Sequence, residues 1–179
     1  HLGFLLGPRI NAASSMGDVT LPVKILSTDD SDIAQDLACR LDQYNKNRQI
    51  VEKQILDEAI CIVENEQKDQ NIIIVGSNNW NVGIIGIIAS RLIDTFNKPS
   101  IVLSWQDDIG RASCRSVPGL DLGAKILLAK LNNLLIEGGG HKMAAAFSIH
   151  RNQIKQFTHF MNECCKKDLQ LYFCNNTKK

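Results

Sequence analysis

The sequence predicts an α/β fold, a central mixed sheet covered by helices and preceded by a long helical connector. Three observations predict it. From about residue 70 onward, short β-branched runs alternate with helical patterns, the signature of helices packed on a sheet. Before that, apolar residues recur at helical spacing from Ile33 to Val63. Finally, 179 residues at 44% hydrophobic and 22% charged are enough for one packed core with short extensions.

Taken in chain order, Leu2 to Asp18 reads as a loop or elbow, because Gly7-Pro8 and Gly17 punctuate it. Ile33, Leu37, Leu41 and Tyr44 follow an Asp30-Ser31 cap signal and predict a first helix. Ile50, Ile55, Leu56, Ala59, Ile60 and Val63 predict a second, to about Glu66. A helix from Asn47 to Glu66 would span about 30 Å, which suits a connector between lobes. Ile72-Ile73-Ile74-Val75 predicts a buried strand within Asn71 to Ser77. Gly83 to Phe96 is apolar enough to be a helix buried on most sides. Ser100 to Ser104 and Arg111 to Val117 predict two more strands, the second ended by Pro118-Gly119. Asp121 is an N-cap for a helix to about Glu137, stopped by Gly138-Gly139-Gly140. Ala144 to His150 returns as a strand, and Asn152 to Lys167 closes as an amphipathic helix. The order in which the strands pair is left open.

Net charge is +1, so composition alone does not announce a nucleic-acid binder. Local patterning is more informative. Ile109 to Lys142 holds five basic residues (Arg111, Arg115, Lys125, Lys130, Lys142) against Asp121 and Glu137. Asp57 to Asp69 holds five acids and one base, Lys68. The first stretch can attract phosphate, although solvated faces of ordinary helices would read similarly. The six cysteines form no C-x-x-C pair and have no histidine at zinc-finger spacing, which argues for reduced thiols in a cytoplasmic protein. No apolar run approaches the ~20 residues of a membrane span. The short apolar start lacks a basic leader, and a first residue of His1 rather than Met reads as part of a longer chain.

Several chemistries are missing. The sequence has no dinucleotide-binding glycine fingerprint, no phosphate-binding P-loop and no nucleophile elbow. His1, His141, His150 and His159 do not pair with carboxylates at metal-ligand spacing. What is present is a set of glycine-flanked polar spots. Gly138-Gly139-Gly140-His141-Lys142 offers close backbone approach to an anion, with two donors beside it; a plain C-cap and turn is the alternative. On a strand, Arg111, Ser113 and Arg115 share one face as a phosphate clamp, and Ser116 points to the other; surface ion pairs would look the same. Trp80-Asn81-Val82-Gly83-Ile84-Ile85-Gly86 is a strand-to-helix junction that can face an anion or simply pack closely. Trp80 is the one aromatic that offers itself for base stacking.

In this order and at these separations, four stretches resemble the RecJ family of single-stranded-DNA exonucleases, within the DHH phosphoesterase superfamily. They are G-P-R-I-N-A-A at 7–13, W-N-V-G-I-I-G-I-I-A-S-R-L at 80–92, R-S-V-P-G-L-D-L at 115–122, and G-G-H with A-A-A-F at 139–147. The resemblance covers nearly the whole chain. It implies that 1–18 is the tail of the catalytic DHH lobe and 19–69 the helical connector. Residues 70–168 would then be the DHH-associated substrate-binding domain, and 169–179 the start of an OB-type domain or a tail, with Leu169 to Phe173 its first strand. Arg9 and Asn11 match the lobe-end motif. Arg115, Ser116, Gly139, Gly140 and His141 match the substrate-holding motifs, and Arg111 joins them from the strand reading. His141 would contact phosphate or stabilise charge near the scissile bond.

The resemblance further implies a parent enzyme cleaving single-stranded DNA from its 5′ end, in repair and recombination, with Mn²⁺ or Mg²⁺ bound by the DHH lobe. Single-strand-binding protein is a further implied partner, and no membrane is implicated. The D-H-H motif is not in this sequence, so no catalytic or metal-binding residue is expected here, and the chain alone is expected to be inactive. Three departures stand out. Ser14-Ser15 replace a usual Gly-Arg, Asn81 replaces a usual His, and Ala112-Ser113-Cys114 replace a glycine-rich spacing. Two rivals remain: a phosphodiesterase for short oligonucleotides or cyclic dinucleotides, and a non-catalytic nucleic-acid-binding module.

Overall fold

A computed structural model describes residues 2–67 and 70–176 of the chain. His1, the Lys68 and Asp69 of the acidic run, and residues 177–179 of the expected tail lie outside the described residues. The chain divides into two compact units, 1–55 and 56–179. The division falls inside a helix rather than at residue 69, where the connector was expected to end.

The first unit is helical throughout, which corrects the loop expected over Leu2 to Asp18. A π-helical turn, Leu2–Leu6, leads into α1, Gly7–Ser15. Pro8 sits in the first turn, where its missing N–H costs nothing. At the other end Gly17 adopts φ +100°; its N–H donates to Ser14 O, and that of Asp18 donates to Ala13 O at 2.9 Å, a Schellman closure. The glycine and proline that suggest a loop are the two ends of a helix. Asp18 then starts α2, Leu21–Ser27: its Oδ1 accepts from the Thr20 and Leu21 N–H groups at 3.1 and 3.0 Å. Helix α3, Ser31–Glu66, runs without a break where two helices were expected. Asp30 Oδ1 caps it through the N–H groups of Asp32 and Ile33. The core of this unit is Ala13, Leu21, Leu37 and Leu41, with Ile10, Ile25 and Tyr44 packed on it. Ile33 and Ile50, counted in the apolar pattern, are 52% and 58% exposed instead.

The second unit is the expected α/β sandwich. Strands β1 (Ile73–Ser77), β2 (Ser100–Gln106), β3 (Ile109–Arg115), β4 (Glu137–His141) and β5 (Ala144–His150) form one sheet in the order β1-β2-β3-β5-β4. Only β1 and β2 run parallel; the other pairs are antiparallel, so the sheet is mixed. Helix α4, Ile85–Phe96, is the crossover between the parallel pair. Helices α5 (Leu122–Leu131) and α6 (Ile154–Asn176) cover the opposite face through Leu122, Ile126, Ala129, Phe157, Met161 and Cys165, packed on Ala112, Cys114, Phe147 and Ile149.

Several boundaries differ from expectation; the strand expected over Arg111 to Val117 runs Ile109–Arg115, so Ser116 lies beyond it rather than on its other face. Helix α5 stops at Leu131, not Glu137: Asn133 turns left-handed at φ 57°, and Glu137 to His141 form a strand. The three glycines are therefore an edge strand rather than a helix stop. Residues 169–173, expected as the first strand of another domain, continue α6. Leu169 is buried there in the same core as Phe157 and Met161, which extends the helical pattern by two turns.

Candidate nucleic-acid interface

Strand alternation builds the site. On β3, Gly110, Ala112 and Cys114 turn to the core, so Arg111, Ser113 and Arg115 share the other face, as expected. Registry then extends this face sideways. Arg111 lies opposite Ser148, which lies opposite Glu137. Ser113 lies opposite Ala146, then Gly139. Arg115 lies opposite Ala144, then His141. Three lateral rows about 7 Å apart thus bring residues from distant parts of the sequence onto one surface.

The first turn of α4 bounds this surface. A Cβ on Gly86 would fall 3.0 Å from Ser113 Oγ and 3.2 Å from Arg115 Nη2, so the missing side chain lets the helix lie directly on the clamp. Ser100 Oγ donates to Ala89 O and ties α4 to β2. Over β5 and β4 the same face is open. It forms a groove of about 790 Å³ lined by Val82, Ile85, Arg111, Ser113, Glu137 and Gly139, among others. Arg111 is exposed and makes no ion pair among the described residues. Arg115 is half-buried; its Nη1 donates to Ser113 Oγ at 3.2 Å and to Cys114 O at 2.9 Å. These bonds fix the guanidinium's position and leave further N–H donors for an anion.

His141 ends β4 and is exposed. The turn that follows it is pinned on two sides: Leu122 N–H donates to Lys142 O, and Ser116 N–H to Met143 O. Gly140 is required by close approach, since a Cβ there would lie 2.4 Å from Ala145 Cα. Gly139 faces open space on the groove side.

Two expected contacts have other jobs. Ser116 is 4% exposed and its hydroxyl donates to Leu120 O at 2.8 Å, which closes the Val117-Pro118-Gly119 turn. Trp80 is 3% exposed; its indole N–H donates to Glu58 Oε2 at 2.8 Å, so it anchors α3 and offers no stacking face. Asn81 accepts from Gly83 N–H at 2.7 Å and shapes the turn before α4. Arg9 and Asn11 belong to the first unit. Arg9 pairs with Asp42 at 2.9 Å and also donates to Leu5 O, while Asn11 is exposed.

Sequence reasoning missed Glu137, Ser148 and Lys130 as groove residues. The signal was there: only Lys142 and Met143 separate β4 from β5, and a two-residue hairpin pairs Glu137 with Ser148 by counting. Ser148 Oγ donates to Glu137 Oε1 at 3.2 Å. Among the described residues, no three His, Cys, Asp or Glu side chains gather as a metal site. The Cys114 thiol, buried under the clamp, is pushed far up by desolvation and is no nucleophile. No helix among the described residues is long and apolar enough to cross a membrane.

The chain is similar to known proteins over most of its length. The chain is 36% identical over 170 residues to the single-stranded-DNA-specific exonuclease RecJ of Bacillus subtilis, covering 94% of this chain and 21% of that protein. It is 32% identical to the RecJ of Haemophilus influenzae, over 90% of this chain and 29% of that one. It therefore spans less than a third of the length of these relatives. The crystal structure of Thermus thermophilus RecJ in complex with Mn²⁺ superposes with a TM-score of 0.82 at 26% identity, over 93% of this chain and 24% of that one. Residues 69–167 match the DHHA1 domain, and the chain belongs to that family.

Proposed function

We propose that this chain is the nucleic-acid-gripping part of a single-stranded-DNA-specific exonuclease of the RecJ type. Its work is to hold the DNA backbone while a metal centre elsewhere in the intact protein hydrolyses it from the 5′ end. One observation carries this reading. The three lateral rows put Arg111, Ser113, Arg115 and His141 on one face beside a glycine edge, and Arg111 and Ser113 line the open groove there, donors suited to phosphates. The homology to RecJ exonucleases supplies the substrate class.

In this reading Arg115, held by Ser113 and Cys114, is the fixed phosphate ligand, and Arg111 the adaptable one. His141, in the same row as Arg115, donates to the phosphate nearest the scissile bond. Gly139 and Gly140 let the backbone of the DNA approach β4. Ser116 keeps the turn beneath His141 in place. Arg9 and Asn11 belong to the tail of the catalytic lobe over 1–18, with 19–69 the connector, 70–168 the substrate-binding domain, and 169–179 the start of an OB-type domain or a tail. The intact protein uses Mn²⁺ or Mg²⁺, the ions with which related RecJ crystal structures are in complex. The chain alone grips without cleaving. A cytoplasmic setting in repair and recombination, with single-strand-binding protein as a partner, completes the proposal.

The test is binding of the chain to a fluorescent 5′-phosphorylated oligo-dT, without metal, across a salt series. Affinity should fall steeply with salt, and Arg115→Ala and His141→Ala should each weaken it at fixed salt. Unchanged binding in both variants would overturn the site assignment. Tighter binding of two- to four-nucleotide ligands than of long strands would move the substrate class to short oligonucleotides.

A further inference from the structure

Lys130 lies on α5, a helix that packs on the sheet face opposite to α4, yet its side chain lines the same groove as Arg111, Ser113 and Glu137. It does so at the edge of the sheet. Strand β4 is the last strand, and three of its five residues are glycines, so no row of side chains walls the groove off from α5. A Cβ on Gly139 would meet nothing within 4 Å, so the space there is open. The two long basic side chains of α5 differ in kind. Lys125 is paired with Asp168 at 2.7 Å, whereas Lys130 is exposed and makes no ion pair among the described residues. Glu137, the acid nearest this edge in the sequence, has its carboxylate engaged by the Ser148 hydroxyl.

We propose that single-stranded DNA leaves the groove by crossing the glycine edge of β4, and that Lys130 neutralises a phosphate as the strand passes over. This rests on the reading of the groove as a nucleic-acid site, and it adds a direction and an exit to it. The strand runs from the Arg111 and Arg115 clamp on β3, across β5, over Gly138 to Gly140, and onto the flank of α5. The distance from β3 to β4 is about 10 Å, two strand spacings. A dinucleotide seated on the clamp stays within the groove, while a longer strand reaches Lys130. Contact with Lys130 is therefore length-dependent, which contact with Arg115 is not.

The experiment measures fluorescence anisotropy of the full chain with a labelled oligo-dT dodecamer and a labelled dinucleotide across a salt series. The variants are Lys130→Ala, Lys130→Arg, Arg111→Ala, and Lys155→Ala as an exposed lysine on α6 away from the groove. Lys130→Ala is expected to weaken dodecamer binding several-fold. It should also flatten the log–log salt slope by about 0.7, the loss of one phosphate contact on a single strand. Dinucleotide binding should be unchanged, and Lys130→Arg should retain dodecamer binding. If Lys130→Ala behaves like Lys155→Ala while Arg111→Ala weakens binding, the exit over β4 is wrong and the groove stands. Equal weakening of dodecamer and dinucleotide would place Lys130 inside the groove and also overturn the exit. Arg111→Ala without effect on either ligand would remove the groove itself.

Discussion

Trp80, Ser116 and Arg115 each carry a polar group on a large or well-placed side chain, and their partners decide what each does. Trp80 is buried and its N–H is taken by Glu58, so Trp80→Phe should lower stability by about 1–2 kcal/mol. Urea unfolding would measure this, and DNA affinity should not change; lost affinity at unchanged stability would restore the stacking role. Ser116→Ala leaves Leu120 O without its donor and should cost a similar ~1–2 kcal/mol, again with affinity near that of the wild type. Arg115→Ala should do the opposite, weakening DNA binding by about 1–3 kcal/mol with little change in the unfolding midpoint. This contrast separates residues that hold the fold from those that hold the ligand.

Among the elements, the two outer strands of the sheet are managed differently. The exposed side of β1 is met by Gln67: its Nε2 donates to Ile74 O at 2.5 Å, and its Oε1 accepts from Ile74 N–H at 2.9 Å. One amide side chain imitates a neighbouring strand for one residue, which blunts an edge that would otherwise template pairing. Gln67→Ala should speed hydrogen exchange at the Ile74 amide about tenfold or more, the equivalent of about 1.4 kcal/mol. No change at Ile74 would show that the edge is held by other means. Strand β4 is met at its His141 end, where Gly123 of α5 lies against the His141 backbone, and Gly138 and Gly140 let it lie close to β5. Gly140→Ala would drive a Cβ into Ala145, so β4 should detach and His141 leave its row, a coupled loss of edge protection and DNA binding.

At the scale of the whole molecule, the two units should respond to opposite ends of the pH range. In the first, the Leu21 and Thr20 bonds hold Asp18 below the usual carboxylate range, and Lys46 and Arg9 do the same for Asp42. Carboxyls depressed in the folded state stabilise above their unfolded pKa of about 3.9, and that contribution fades as pH falls through the folded value. In the second unit the Lys125 ammonium is raised by Asp168, so its contribution is complete below about 10.4 and is lost as pH rises further. Circular dichroism melts at pH 3, 7 and 11 should show acid weakening relieved by Asp18→Asn with Asp42→Asn, and alkaline weakening relieved by Lys125→Met. Both are surface effects of modest size, so flat melting temperatures in the double mutant at pH 7 would be no surprise, but an unchanged acid response would remove the assignment.

The local chemistry of this protein is legible in its amino-acid order. Strand alternation put Arg111, Ser113 and Arg115 on one face, Asp30 and Asp121 announced helix starts, and buried apolar runs marked β1, β2 and α4. Each depends only on neighbours within a few residues, where spacing and geometry are strictly linked. Gly7-Pro8 with Gly17, and Gly138 to Gly140, were misread because the same residues serve a loop, a helix end or an edge strand, and only their surroundings choose. Long-range packing sets the burial of Trp80 and Ser116, the row shared by Glu137, Ser148 and Arg111, and the reach of Lys130 into the groove from the far side of the sheet. Registry between strands dozens of residues apart sets those relations. Burial and pairing are summed over the whole core, and no local pattern records them.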